Sequence, residues 1–574
     1  MKDLIIIIGT KNLKKFFLLS ILTVIAALFE AFSIGLILPI ISIINTSDFS
    51  NYPNYLKSFI QILEISNYYS LVIIFFIFVI IIFFLRFFIF LYSDLYKIKF
   101  HSFIRVYIIK KIFKNYINSN YYFFLKNNSS SLIKNIINES NVFCDKYIFG
   151  LLYILTDFFN LFFIILLLML YNFKITSFVL VGSLLLSFGY IFSLRKRINL
   201  LSKKRSADES ELFKIVSETF NSIKDIKIYQ TENFFLRKID PVINSSIENY
   251  KKLFLFQSFP KPLFELILLI FFLIFIFISI FFLNENINSI FSTFALFGAA
   301  SFRILPSVSR IIQGFQDVRF SNESKNIIRS NILELNNNNN LEVNNFIFDK
   351  KKDSFNEIVL TAKNFGYSDS ILFKDVSFEV KKNQCIGIVG ESGVGKSTLV
   401  NTIMGLLQFK DVNLVYRINN QTIKNRKITG LFAYVPQSTF LLDDDVVSNI
   451  TFGINKSDIN FDLLNKVIID SELTEFINNL PNKMQTRLGD KGNNISGGQI
   501  QRISLARALY RNSEILILDE FTNQLDNVTE KKILSTINNL KKEKTIIIVS
   551  HKNEPMQLCD TVYRIHDQKI DKIK

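Results

Sequence analysis

With 574 residues, 49% of them hydrophobic and 62 of them Phe, and with a mean hydropathy of +0.30, the chain is too long for one ordinary domain and too apolar for a wholly soluble protein. Its formal net charge of +17 fits a nucleic-acid partner in principle. The basic residues, however, lie where a membrane protein keeps them, and this placement argues against nucleic acid. Cys144, Cys385 and Cys559 form no CxxC pattern and no metal set, and read as reduced, packed residues facing cytosol.

In chain order, six stretches reach the roughly 20 apolar residues that a spanning helix needs. They are Phe16–Ile44, Leu71–Tyr92, Tyr147–Leu170, Ile175–Leu194, Pro262–Leu283 and Ile290–Ile312. The first is too long for a signal peptide and no small-residue cleavage site closes it. Lys97, Lys99, Arg105, Lys110, Lys111 and Lys114 follow the second stretch, and Arg195, Lys196, Arg197, Lys203, Lys204 and Arg205 follow the fourth. Lys2, Lys11, Lys14 and Lys15 precede the first, whereas the opposite loops hold little beyond Lys57 and Lys174. The positive-inside rule then places both termini in the cytosol. The two long basic segments carry apolar residues at helical spacing and read as helix extensions projecting from the membrane. Their tips, near Tyr121–Asn128 and Ser222–Gln230, are free to meet a cytosolic partner. In the outer loop Asn45–Ser70, residues Leu56, Phe59, Ile60 and Leu63 share a helical face, which fits either a short interfacial helix or a plain amphipathic loop.

Ionisable groups within spanning segments are costly and usually face the protein interior or a cavity. Glu30 lies mid-way in the first stretch, Arg86 deep in the second, and Arg303 and Arg310 two turns apart in the sixth, with Pro306 between them to bend the helix. Two readings stay open. The guanidinium groups form a site for an anionic headgroup, or Glu30 and an arginine form a structural ion pair, with snorkelling toward the cytosol as a further alternative.

The last part of the chain reads as a soluble α/β domain. A strand at Gln384–Gly390 runs into Gly390, Glu391, Ser392, Gly393, Val394, Gly395, Lys396, Ser397 and Thr398, a complete G-x-x-x-x-G-K-[ST] loop. Such glycines let backbone N–H groups curl around phosphates at a helix N-terminus. Lys396 then reaches the β- and γ-phosphates and Ser397 ligates Mg²⁺. Downstream, the apolar run Ile515–Leu518 ends in Asp519, a candidate for Mg²⁺ through water, and Glu520, a candidate general base.

Ser496, Gly497, Gly498 and Gln499, preceded by Ile495 and followed by Gln501 and Arg502, resemble the signature that separates ATP-binding cassette (ABC) proteins from other P-loop ATPases. Other matches surround it from about Ile358 onward. Tyr367 resembles the aromatic residue that stacks on adenine. Tyr434–Gln437 looks like the loop whose glutamine, Gln437, senses Mg²⁺. Leu525-Asp526 resembles the D-loop, and Ser550-His551 the switch histidine at the γ-phosphate. The departures are Ile495 for Leu, Asn523-Gln524 where Ser-Ala is usual, and Asp490 where exporters often have Glu.

The resemblance implies a multidomain chain: an all-α six-helix transmembrane exporter domain at 1–320, a linker at 321–355 and an α/β P-loop nucleotide-binding domain at 356–574. It implies ATP and Mg²⁺ as ligands. It also implies a homodimer in a lipid bilayer, the cell inner (plasma) membrane, in which the signature and Asp526 of one copy complete the ATP site of the other. Leu28–Pro39, Ala299–Arg310 and Leu441–Gly453 look like the lipid-linked oligosaccharide flippases and related polysaccharide exporters, whose polyprenyl-pyrophosphate glycans suit an arginine site at Arg86, Arg303, Arg310 and Glu30. Export of peptides, lipids or drugs is the alternative. A regulator or channel without net transport is a third reading, against which intact Glu520 and His551 argue.

Overall fold

Apolar periodicity over the first half of the chain produces helices, and the short apolar runs after it produce strands. The computed structural model describes residues 5–7, 9–45, 49, 52–65, 67–281, 287–340, 346–367, 370–489 and 495–574. The chain divides into two units, Met1–Ser119 with Lys126–Asn338, and Asn120–Leu125 with Asn339–Lys574.

The helices in chain order are α1 (Thr10–Gly35), α2 (Ile37–Asn45), α3 (Asn54–Ile62), α4 (Tyr68–Ile117), α5 (Tyr121–Lys126), α6 (Ser129–Tyr171), α7 (Phe173–Asn221), α8 (Ile223–Tyr229), α9 (Glu232–Ser258), α10 (Pro260–Phe281), α11 (Ile287–Phe320) and α12 (Asn322–Asn340). Each of the six apolar stretches falls within this set, apart from the last residues of the fifth, 282–283, which lie outside the described residues. Among the described residues, 5 helices are long and apolar enough to cross a membrane. The remaining stretch lies in α7, which is 49 residues long.

The extensions form as their spacing requires. In α4, Phe100, Ile104, Ile108 and Ile112 are all buried, four residues apart on one face. Pro306 is accommodated inside α11. Close helix packing depends on small residues: a Cβ on Gly150 of α6 would come within 2.9 Å of the Gly314 carbonyl oxygen of α11.

One expectation is corrected. The segment 321–355 is not a plain linker, because α12 fills its first part and the first unit runs to Asn338. Ser324, Ile328 and Ile332 recur every four residues and are buried. Ser324 Oγ donates to Glu139 Oε2 at 2.5 Å, and Arg205 of α7 donates to the same oxygen at 2.9 Å. Glu139 and Arg205 are fully buried, and Lys134 sits 3.0 Å from Glu139. Glu139 ends a π-helical stretch, Asn135–Glu139, within α6. Of the two readings of the outer loop, the structure shows the short helix, α3, and part of its apolar face packs on protein. Leu56 and Ile60 pack with Leu71, Phe75 and Ile82, and Phe59 meets the rings of Phe75 and Phe78 at 5.8 and 5.6 Å.

The second unit is an α/β domain. Its strands are β1 (Phe346–Ile347), β2 (Phe355–Tyr367), β3 (Ser370–Lys381), β4 (Cys385–Gly390), β5 (Val412–Ile418), β6 (Gln421–Lys424), β7 (Ile428–Thr429), β8 (Phe432–Val435), β9 (Ile515–Asp519), β10 (Thr545–Val549), β11 (Thr561–His566) and β12 (Lys569–Lys572). The main sheet runs β12-β11-β4-β10-β9-β8, parallel except for β12. An antiparallel sheet, β3-β2-β5-β6, completes the framework. β9 and β10 are buried at every position, as continuous apolar runs in a two-sided parallel sheet should be.

Candidate functional site

In an open parallel sheet, ligands bind at the C-terminal ends of the strands. Four such ends carry the chemistry here. Gly390 closes β4, Asp519 closes β9, Ser550-His551 follows β10, and Gln437 follows β8. The register aligns them, pairing Val549 with Asp519, Val549 with Ile388, and Val435 with Leu518.

The loop after β4 turns at Gly393 (φ 84°) and Gly395 (φ 100°), in the left-handed region where glycine carries no Cβ penalty. At Gly395 a Cβ would also lie 2.7 Å from the ring of Phe373. The helix α13 (Lys396–Ile403) begins there. Lys396 Nζ donates to the carbonyl oxygens of Gly390 at 2.7 Å and Glu391 at 2.9 Å, so the ammonium is bonded to its own loop. Glu391, Ser392, Gly393 and Ser397 are exposed, Val394 and Thr398 half-buried. Tyr367 ends β2, where the described part is backbone only.

Asp519 is buried, and burial raises its carboxyl above the usual range, against the opposing pull of the Tyr434 hydroxyl and Lys396. Tyr434 Oη donates to Asp519 Oδ2 at 3.1 Å. Burial is also the largest cause raising the Tyr434 phenol. Glu520 leaves the strand at φ 49°, and its N–H donates to the Val549 carbonyl at 2.8 Å. Its Oε2 accepts from Gln437 Nε2 at 2.5 Å and from Asn523 Nδ2 at 3.0 Å, while Oε1 faces His551 Nδ1 at 3.9 Å. The structure thus brings together Gln437, Asp519, Glu520 and His551. Neutral or anionic oxygens from Asp519, Ser397 and Gln437 suit Mg²⁺, and the N–H groups of the glycine loop suit phosphate.

Ser496 caps the helix α14 (Gly497–Tyr510) in a reciprocal box. Its Oγ accepts from the Gln499 N–H at 3.3 Å and its own N–H donates to Gln499 Oε1 at 2.9 Å. This helix start rests on the turn after β9, where Gln501 Oε1 accepts from the Gln524 N–H at 3.2 Å. Asp526 caps α15 (Asn527–Leu540) and is held below the usual carboxylate range first by the Thr529 N–H. Asp490 lies outside the described residues.

Sequence reasoning missed three contributors. Tyr434 was legible as part of its loop, but its bond to Asp519 depends on β8 lying beside β9. Lys552 Nζ donates to the Thr522 carbonyl at 3.1 Å and to both carboxylate oxygens of buried Glu530, tying the His551 loop to the turn after β9. The third is Asp157, in the third apolar stretch, which the rule applied to Glu30 and Arg86 would have found.

In the first unit, fully buried Glu30 accepts from Arg86 Nη2 at 3.1 Å and from Arg303 Nη2 at 2.7 Å. Arg310 grips Asp157 with two hydrogen bonds, of 2.8 and 2.6 Å. An ion-pair arrangement is therefore present, and it is compatible with a headgroup site. It involves two arginines on Glu30 rather than one, with a separate carboxylate for Arg310.

A family model described as the ABC transporter transmembrane region matches residues 14–304, half of the chain, and one described as ABC transporter matches 373–523. The lacticin-481/lactococcin-DR transport/processing ATP-binding protein lcnDR3 of Lactococcus lactis subsp. lactis is 29% identical over 81% of this chain and 65% of its own length. An ATP-dependent lipid A-core flippase of Saccharophagus degradans is 28% identical over 70% of this chain and 66% of its own. The match therefore spans just under two thirds of either relative. A bacterial Atm1-family ABC exporter with ATP bound superposes with a TM-score of 0.76 at 17% identity, over 96% of this chain and 94% of that one, which establishes a shared fold. The chain belongs to the ABC transporter family, as a multi-pass membrane protein with a helical transmembrane domain followed by a nucleotide-binding domain.

Proposed function

We propose that this chain is an ATP-driven exporter that works as a homodimer and flips a lipid with an anionic headgroup, a polyprenyl-pyrophosphate-linked glycan, from the cytosolic to the outer leaflet. Its place is the cell inner (plasma) membrane, with both termini and the ATPase domain in the cytosol. The observation that carries hydrolysis is Glu520, fixed by Gln437 and Asn523 through one oxygen and leaving the other toward His551. Lys396 exchanges its bonds to the Gly390 and Glu391 carbonyls for oxygens of the β- and γ-phosphates. Glu520 takes a proton from the attacking water as the water oxygen bonds to the γ-phosphorus, the bridging P–O bond to the β-phosphate breaks and ADP leaves. His551 contacts the γ-phosphate. Ser397, Gln437 and Asp519 would hold Mg²⁺, which would neutralise phosphate charge. Tyr367 stacks on the adenine, and Ser496, Gly497, Gly498, Gln499 and Asp526 serve the nucleotide of the second copy.

The lipid reading is supported by the flippase among the relatives and by the cluster at Glu30. Two guanidinium groups share one carboxylate there, so the cluster keeps a positive charge among apolar helices. The Arg86 and Arg303 side chains stay 29% and 22% exposed, which leaves them within reach of a phosphate or pyrophosphate. Peptide export is the second reading, favoured by the lacticin-481/lactococcin-DR transport protein, whose match covers 81% of the chain. Reconstitution in liposomes with a fluorescent polyprenyl-pyrophosphate glycan separates the two. ATP-dependent translocation of the glycan supports flipping, and peptide efflux without it supports the second reading.

A further inference from the structure

Asn523 stands where the family usually has serine, and the structure gives its longer carboxamide a definite partner. Two bonds tie it to Glu520. Its backbone N–H donates to the Glu520 carbonyl at 3.2 Å, and its side-chain Nδ2 donates to Glu520 Oε2 at 3.0 Å. The second donor on that oxygen, Gln437, belongs to a different loop, after β8. Asn523 lies three residues along the same turn as Glu520, and so moves with it. Glu520 also carries a left-handed backbone at φ 49°, a conformation that depends on its surroundings for support. The Asn523 contact closes that turn from the side-chain end.

We propose that Asn523 is a positioning residue for hydrolysis: by holding Oε2 of Glu520 it presents Oε1 to the attacking water, independently of where Gln437 points. The inference rests on the reading of Glu520 as the general base. A serine at 523 offers one hydroxyl donor on a shorter stem and reaches this oxygen less well. A leucine matches the shape of asparagine and offers no donor.

The test is steady-state ATPase on the purified full-length protein in lipid nanodiscs, comparing wild type with Asn523→Leu, Asn523→Ser and Glu520→Gln, alongside binding of a fluorescent ATP analogue. Asn523→Leu is expected to lower kcat about tenfold, the scale of a mispositioned reacting group, with KM and analogue affinity within twofold of wild type. Asn523→Ser is expected to fall between the two. Wild-type turnover no higher than that of Glu520→Gln would remove the hydrolysis reading itself. Robust wild-type turnover with an unchanged kcat in Asn523→Leu would overturn the positioning role alone. Loss of analogue binding in Asn523→Leu would also overturn it, by showing that the residue merely maintains the fold of the loop.

Discussion

The carboxamide of Gln524 lies so close to Gly497 that a Cβ on the glycine would sit 2.3 Å from Gln524 Oε1. At the next residue the obstacle changes, because a Cβ on Gly498 would lie 2.8 Å from the Gln524 backbone carbonyl oxygen. A side-chain tip can swing aside and a backbone cannot. Gly497→Ala is therefore expected to cost only part of the ATPase activity, which Gln524→Ala restores in the double variant. Gly498→Ala should stay inactive in either background. ATPase assays on the four variants check this, and equal rescue at both glycines would contradict it.

Glu30 has no exposure and serves two arginines. Removing its charge strands both guanidinium groups, at a cost of about 3 kcal/mol for a broken buried pair. Glu30→Gln should lower the melting temperature of the detergent-solubilised protein. Adding Arg303→Leu should recover part of the loss, because one unpaired charge disappears with it. A double variant less stable than the sum of its singles would show that the pair is not the relevant interaction.

Arg310 differs from Arg86 and Arg303 because Asp157 holds it by two bonds. If the cluster at Glu30 receives a headgroup, Arg86→Ala and Arg303→Ala should reduce flipping while basal ATPase survives. Arg310→Ala leaves buried Asp157 unpaired, so its effect should appear in stability as well as transport. Flipping assays on the three variants, normalised to protein that remains monodisperse, check this ordering. Normal flipping by all three would remove the headgroup site.

Lys544 gives the nucleotide-binding domain a pH signature. It is buried, with Nζ donating to the Ser513 carbonyl at 2.6 Å and to Asn512 Oδ1 at 3.0 Å. Burial, with the charge of Lys350 second, holds its ammonium down to about 8. The unfolded chain keeps that proton to about pH 10.4. Between those values the unfolded state binds more protons, so this group's contribution to stability rises with pH. Below about pH 8 both states are charged and the full penalty of a buried ammonium applies. Lys544→Met should therefore gain on wild type by more at pH 7 than at pH 10 in thermal melts. The pH-independent cost of the lost hydrogen bonds cancels in that difference, and a constant offset would contradict the account.

Consecutive motifs made the candidate nucleotide site legible. Lys396, Asp519, Glu520 and the signature each sit in a run whose spacing carries the chemistry, and one parallel sheet then gathers Lys396, Asp519 and Glu520 at one edge while α14 seats the signature on the turn after β9. What the sequence did not disclose depends on neighbours far along the chain. Ser324 meets Glu139 across 185 residues, so a segment with linker-like composition conceals a helix packed on a buried ion network. The amphipathic period of α3 was readable, but not whether lipid or protein covers its apolar face, because the phenylalanines that receive Phe59 belong to α4. Asp157 was readable by the rule already used for Glu30. Its pairing with Arg310 was not, since it depends on α6 packing beside α11 through Gly150 and Gly314.

ATP-driven lipid flipping is tested most directly in proteoliposomes holding a fluorescent polyprenyl-pyrophosphate glycan, with wild type and Glu520→Gln compared side by side. Wild type is expected to move the glycan between leaflets in an ATP-dependent manner, and Glu520→Gln is expected to move none. Translocation that proceeds equally in the variant, or wild-type ATP hydrolysis with no glycan movement, would contradict ATP-driven flipping.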